Sequence, residues 1–221
     1  MGLERLQKNI KQTLPEAHLR ETTLPLLPEM RLYLLDPVNL QRMFSRQETR
    51  KIVRNAPYWS FCWASGQALG AYISQRKTLI DGKKVLDFGS GSGVVAIAAA
   101  RAGAERVIAC DSDGHALEAI RANAELNRVF IEAIRSLGEL KGEIDLILVA
   151  DLLYDSENFP LLDYFFAYTD QILLADSRIK HFQHPRYHQV DHITAQTIPD
   201  LKEGEEFNRV QIYRGAWPKN C

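Results

Sequence analysis

Cysteine is scarce in these 221 residues: Cys62, Cys110 and Cys221 stand far apart and are odd in number. That pattern excludes a disulfide framework and any cysteine-based zinc spacing, and it points to a reducing, cytoplasmic setting. An excess of one charge is missing as well, since 27 Lys and Arg against 28 Asp and Glu leave a net charge of −1. Without a cationic surplus the chain lacks the counterion-release term that drives nucleic-acid binding, so no nucleic-acid partner is expected. No apolar run nears the roughly 20 residues that span a bilayer. The opening Met1 to Leu14 alternates charged and apolar residues and has no hydrophobic core of the signal-peptide kind. Neither a membrane nor an export route is expected.

The chain does have an ordinary globular balance, 46% hydrophobic and 25% charged, sufficient to bury a core without staples. Two textures divide it, residues 1–56 and 57–221. The first holds Leu3, Leu6 and Ile10 at helical spacing, the Pro-punctuated Leu24-Pro-Leu-Leu-Pro, a strand-like run over Arg31–Leu35 and a charged helix candidate near Gln47–Arg54. It reads as a helical extension packed on the larger C-terminal part. From Pro57 onward strands alternate with helices, the signature of a doubly wound, mostly parallel α/β sheet. Helices are expected over Ser65–Ile73, over Val94–Arg101 (stopped by Gly103) and from Asp113, with Leu117, Ile120 and Ala124 inward. Strands are expected at Val85–Phe88, Val107–Cys110, Val129–Ile131, Ile144–Ala150 and Ile172–Ala175. Gln189–Ile198 and Arg209–Tyr213 would close a seven-stranded sheet as an antiparallel pair at its edge.

The sharpest feature is Asp87-Phe-Gly89-Ser90-Gly91-Ser92-Gly93, directly after the first of those strands. Glycines there let the backbone turn tightly and approach a ligand without a Cβ in the way. The next helix offers free N–H groups and the positive end of its dipole. The spacing is G-x-G-x-G, not the G-x-G-x-x-G of pyrophosphate binders. Asp87, two residues before the first glycine, would repel a pyrophosphate but suits an ammonium group. Asp111 closes the second strand, where an acid can accept both hydroxyls of a ribose. The ligand that fits carries a ribose and a cationic amino-acid end.

Asp87-x-Gly89-x-Gly91-x-Gly93 with Asp111 resembles the first motifs of the class I, seven-strand methyltransferases, over about residues 57–215. The resemblance implies S-adenosylmethionine as cofactor, with Gly89, Ser90, Gly91 and Gly93 shaping its pocket and Ser112 beside the ribose acid. Two further stretches narrow it. Ala150-Asp151-Leu-Leu-Tyr154 comes after the central apolar strand, and Pro57-Tyr-Trp59-Ser-Phe-Cys-Trp63-Ala-Ser-Gly-Gln-Ala-Leu69 precedes the glycine turn. Both resemble the D-x-x-Y protein-lysine methyltransferases, and the second is similar to the electron-transfer-flavoprotein β-subunit lysine methyltransferases and their bacterial relatives. By that resemblance Trp63 and Ala150 contact the cofactor, while Asp151 and Tyr154 face a lysine of a protein substrate. The segment Glu132–Leu140 matches neither the acid nor the tryptophan that such enzymes place at the adenine. Adenine recognition then falls to backbone groups around Ser136 or Leu137. Ala175-Asp-Ser-Arg-Ile-Lys180 matches no known substrate loop of this kind.

Other readings are a small-molecule amine methyltransferase, which would leave protein unlabelled, and a catalytically silent binding module, in which Asp151→Ala would change nothing. A nicotinamide-dependent oxidoreductase is disfavoured by Asp87 and by the glycine spacing. His181, His184, His188 and His192 are interrupted by Pro185 and read as solvated loop and edge-strand residues, so no metal site is expected. They come after a strand end and border the expected substrate mouth. Cys62, between two tryptophans with no adjacent base, reads as a small buried residue.

Overall fold

A computed structural model describes residues 2–40, 56–179 and 182–216. The helix expected near Gln47–Arg54, His181 and Cys221 lie outside them. Helix α1 (Gly2–Thr13) leads into β1 (Leu19–Leu24) and β2 (Leu27–Leu35), then come α2 (Ala64–Gln75), β3 (Lys84–Phe88), α3 (Val94–Arg101), β4 (Arg106–Cys110) and α4 (Gly114–Leu126). The chain continues through β5 (Glu132–Ile134), β6 (Leu146–Ala150), the short α5 (Phe159–Tyr164), β7 (Ile172–Asp176), β8 (Tyr187–Thr194) and β9 (Arg209–Gly215). Seven strands form one sheet in the order β5-β4-β3-β6-β7-β9-β8. Strands β3 to β7 run parallel, and β9 is antiparallel to both its neighbours.

The parallel strands are apolar without alternation because both faces are covered. Val85, Val107, Leu146, Leu148 and Leu173 face α2, α3 and α4, while Leu86, Ile108, Ile147, Val149 and Leu174 face α5 and the turns around it. Strand order reverses between β3 and β6, so the carboxyl ends of these two strands open a crevice, where ligands bind in open α/β sheets. Among the described residues no helix is long and apolar enough to cross a membrane.

The N-terminal segment is less helical than its sequence suggests. Leu19–Leu35 is a β-hairpin whose turn holds Pro25, and the first strand reads as polar because only its end residues, Leu19 and Leu24, are buried. One face of the hairpin joins the core of α2 and α3 through Leu24, Leu27, Met30, Leu32 and Leu34. Helix α1 inserts Leu6 and Ile10 against α4 and Trp59. Asn123 of α4 and Asn127, which caps that helix, accept the backbone N–H of Tyr33 and Arg31, tying the hairpin to the same helix.

Two strands are displaced along the chain from expectation, and the central strand starts at Leu146 rather than Ile144. The third strand of the sheet is Glu132–Ile134, not Val129–Ile131. Arg128 takes a positive φ of 57° and the N–H of Val129 returns to the carbonyl of Ala124, so the next residues are used in leaving the helix. Strand β8 starts at Tyr187 and ends at Thr194. Ile198 instead pairs with Cys62, N–H to carbonyl in both directions at 2.8 Å, and draws the β8–β9 connection back over the crevice.

Candidate active site

A cavity of about 1000 Å³ opens at the carboxyl ends of β3, β4 and β6. Trp63, Asp87, Gly89, Ser90, Gly91, Asp111, Ser112, Ala150, Asp151 and Tyr154 all line it. Gly93 does not: it precedes α3 with φ +85°, and a Cβ there would lie 3.4 Å from the Cα of Ile120, so its place is in the chain path rather than the cavity wall. Gly89 and Gly91 behave differently. Both have positive φ, +72° and +53°, and a Cβ on either would meet nothing within 4 Å. The backbone there is shaped for close approach by something that the cavity has room to hold.

Asp87, 2% exposed, accepts hydrogen bonds from the Ser90 hydroxyl (2.5 Å) and the Ala96 N–H (3.0 Å). Burial pushes its carboxyl up to about 7, against the lowering effect of those bonds. Such a group gains from a cation placed beside it. Asp111 receives the Gly91 N–H on one oxygen (2.8 Å) and the Asp113 N–H on the other (3.0 Å), which sets the carboxylate across the mouth of the glycine turn. Burial again raises its pKa. Arg135, Ser136 and Leu137 line the cavity beyond it. These residues fit S-adenosylmethionine: open backbone at the glycines, a buried acid for its ammonium, and a second acid with lone pairs to spare for its ribose.

The other wall comes from scattered parts of the chain. Asp151 comes after β6 in the left-handed region, φ +49°, a conformation that costs a non-glycine residue about 1–2 kcal/mol. Tertiary bonds hold it there. Its N–H binds the Ala175 carbonyl (3.0 Å), while its carboxylate accepts the Ser65 N–H (3.1 Å) and hydroxyl (2.5 Å) and, at 3.4 Å, the Ser177 hydroxyl. Burial pushes this carboxyl up to about 6; the nearby Asp176 adds to the rise, and Ser65 and Arg178 oppose it. Tyr154, 60% exposed, has its ring 6.0 Å from that of Tyr58, which stands edge-on to Trp63 at 5.7 Å. The Trp63 indole N–H donates to the Tyr58 carbonyl. Arg178 lies 5.8 Å over the Trp63 ring and pairs with Glu203 at 2.8 Å.

Sequence patterns missed Ser65, Tyr58, Arg178 and Glu203 as site residues. Ser65 and Tyr58 fall inside the Pro57–Leu69 stretch that carried the resemblance. Arg178 and Glu203 have no local signal, because what matters is the approach of one loop to another. Trp59 is 2% exposed and shares its ring between the cavity and the α1 packing. Cys62 is fully buried as expected, and burial raises its thiol pKa. His188 and His192 are exposed on β8, whereas His184 is packed against Phe182 at 6.2 Å with Nε2 3.6 Å from Asp163. None of these three borders the cavity, contrary to the position expected for them.

Comparison with known proteins gives concordant findings. Residues 67–156 match the family model described as ribosomal protein L11 methyltransferase (PrmA). The electron transfer flavoprotein beta subunit lysine methyltransferase of Mus musculus is 32% identical over 189 residues, 81% of this chain and 73% of that protein. The protein of the same description from Xenopus laevis is 39% identical over 148 residues, 66% of this chain; the match spans 59% of the frog protein's length. Among solved structures, magnesium protoporphyrin IX methyltransferase from Synechocystis with bound S-adenosylmethionine superposes with a TM-score of 0.53 at 15% identity, covering 81% of this chain and 88% of that one. That likeness is one of fold.

Proposed function

The chain belongs to the electron transfer flavoprotein beta subunit lysine methyltransferase family, within the class I S-adenosylmethionine-dependent methyltransferases, and from that premise we propose that it methylates the side-chain amine of a lysine in a protein. The observation that carries the acceptor side is Asp151, held in a left-handed turn at the end of β6 with its carboxylate on the same cavity as the glycine turn.

Bound S-adenosylmethionine supplies a methyl group on a positively charged sulfur. Asp87 would hold the ammonium of that cofactor and Asp111 its ribose, with Gly89 to Gly91 leaving room for it beside Ser90 and Ser112, and Trp63 and Ala150 would close the pocket from the opposite wall. A free lysine has a pKa of about 10.4, so it arrives as an ammonium and must lose a proton before it can attack. Asp151, whose pKa of about 6 leaves it mainly ionised at neutral pH, receives that ammonium and keeps the nitrogen aligned as the proton passes to solvent. Tyr154, Tyr58 and Trp63 surround the nitrogen with aromatic faces, which tolerate its positive charge and exclude water. Alignment and desolvation are the main contributions an enzyme can make to such an in-line displacement. The reducing, cytoplasmic setting suggested by the cysteines belongs to the same proposal.

The test is transfer of labelled methyl from S-adenosylmethionine into a size-fractionated cytosolic extract, with wild type beside Asp151→Ala. Label in a discrete protein band, carried on lysine and lost in the variant, supports the proposal. Label confined to the small-molecule fraction overturns the protein substrate.

A further inference from the structure

The segment Asp176-Ser-Arg at the end of β7 resembles no known substrate loop, and methyl transfer as proposed leaves Asp176 unused. Its carboxylate is 1% exposed and receives three backbone N–H groups. Oδ2 accepts Leu153 (3.3 Å), while Oδ1 accepts both Arg178 (2.8 Å) and Ile179 (3.0 Å). Leu153 lies between Asp151 and Tyr154. Arg178 carries the guanidinium that spans Trp63 and Phe207, 5.8 and 4.7 Å from their rings, and pairs with Glu203. The residue between Asp176 and Arg178, Ser177, reaches Asp151 directly.

We infer that Asp176 is a positioning residue, a buried clamp that fixes the loop bearing Asp151 and Tyr154 against the loop bearing Arg178. The inference rests on the acceptor role proposed for Asp151. A buried carboxylate is costly unless its oxygens are satisfied, and here each oxygen serves a different loop. Only an acid offers acceptors on both sides. Asparagine would keep Oδ1 for Arg178 and Ile179 but set its amide N–H₂ against the N–H of Leu153, donor against donor. Asp176→Asn therefore cuts one half of the clamp and leaves the other. The groups that face Asp151 are Cys62 and Ser65 on one side and Asp176, Ser177 and Arg178 on the other. The same substitution removes the like charge among them.

The experiment combines amide hydrogen exchange on the full chain with steady-state methyl transfer to the cytosolic protein fraction and calorimetry of S-adenosylhomocysteine. Asp151→Ala is run in parallel. In Asp176→Asn the Leu153 amide should lose protection while Arg178 and Ile179 keep theirs. Turnover at saturating S-adenosylmethionine should fall roughly 10- to 100-fold, the scale of a misaligned reactive group. The KM for S-adenosylmethionine and the affinity for S-adenosylhomocysteine should stay within about two-fold, and the acidic limb of the pH–rate profile should move to lower pH. Turnover close to wild type with Leu153 unprotected overturns the clamp, as does an equal loss of cofactor affinity. If Asp151→Ala also keeps its activity, the acceptor-site reading fails first; if Asp151→Ala is inactive and Asp176→Asn is not, only the clamp fails. In wild type, exchange at Leu153 much faster than at Arg178 and Ile179 overturns it without any variant.

Discussion

The cavity has one wall drawn from a single stretch of chain and another drawn from four. Asp87 to Asp113 supplies the glycine turn, the two acids proposed to hold the cofactor and the hydrogen bonds that set them, none of which reaches farther than 20 residues. The acceptor wall joins Tyr58–Ser65, Asp151–Tyr154, Asp176–Arg178 and Glu203, and the bonds between Ser65 and Asp151 span 86 residues. The first wall comes from local backbone geometry, so it forms wherever β3, α3 and β4 form. The second exists only when α2, β6 and β7 are packed together. Substitutions in the two walls should therefore fail in different ways: cofactor affinity lost on one side, turnover on the other.

The largest effect expected is at Asp151. Asp151→Ala should lower turnover by roughly 100-fold or more while S-adenosylhomocysteine binding, read by calorimetry, stays within about two-fold. A comparable loss of binding would erase the distinction between the walls. Next comes Gly91→Ala, which forces a Cβ onto a residue at φ +53° and projects it into the cavity. Cofactor affinity should fall by roughly ten-fold or more because the added methyl takes space that the cofactor needs, while the backbone strain of about 1–2 kcal/mol is felt in stability.

Gly93→Ala sharpens the point, because its φ is also positive but its Cβ would point at α4. Thermal unfolding without ligand should show a loss of about 1–2 kcal/mol, with a smaller change in affinity than Gly91→Ala. The smallest effect concerns pH. With Asp87 at about 7 in the free protein, the ionised form that receives an ammonium grows between about pH 6 and 8, so affinity should rise by at most about ten-fold across that range. The sign for stability is opposite. An acid whose folded pKa is raised contributes stability below its unfolded value of about 4, and that contribution is lost as pH climbs toward about 7. Asp87→Asn should flatten both slopes, in calorimetry and in melts of the ligand-free chain.

Much of the fold was legible because its signals are short-range. A central strand buried on both faces must be apolar throughout, and Leu146–Ala150 is. A turn with three positive φ values calls for glycine at each, and Gly89, Gly91 and Gly93 stand there. Legibility failed where burial is one-sided or short. Leu19-Arg-Glu-Thr-Thr-Leu24 has too few buried positions to announce a strand, and Val129–Ile131 has strand composition but is consumed by the exit from α4.

By itself, the sequence determined the succession of strands and helices along the chain, the glycine turn and the two acids near it, since each announces itself within a short stretch of residues. It also placed Asp151 and Tyr154 at a strand end. Only the tertiary structure decided what holds them there: Ser65 capping the carboxylate from another helix, Asp176 gripping both loops from beneath, and Arg178 meeting Glu203 across the mouth. Such contacts depend on how elements pack rather than on local pattern, so no single stretch of residues encodes them.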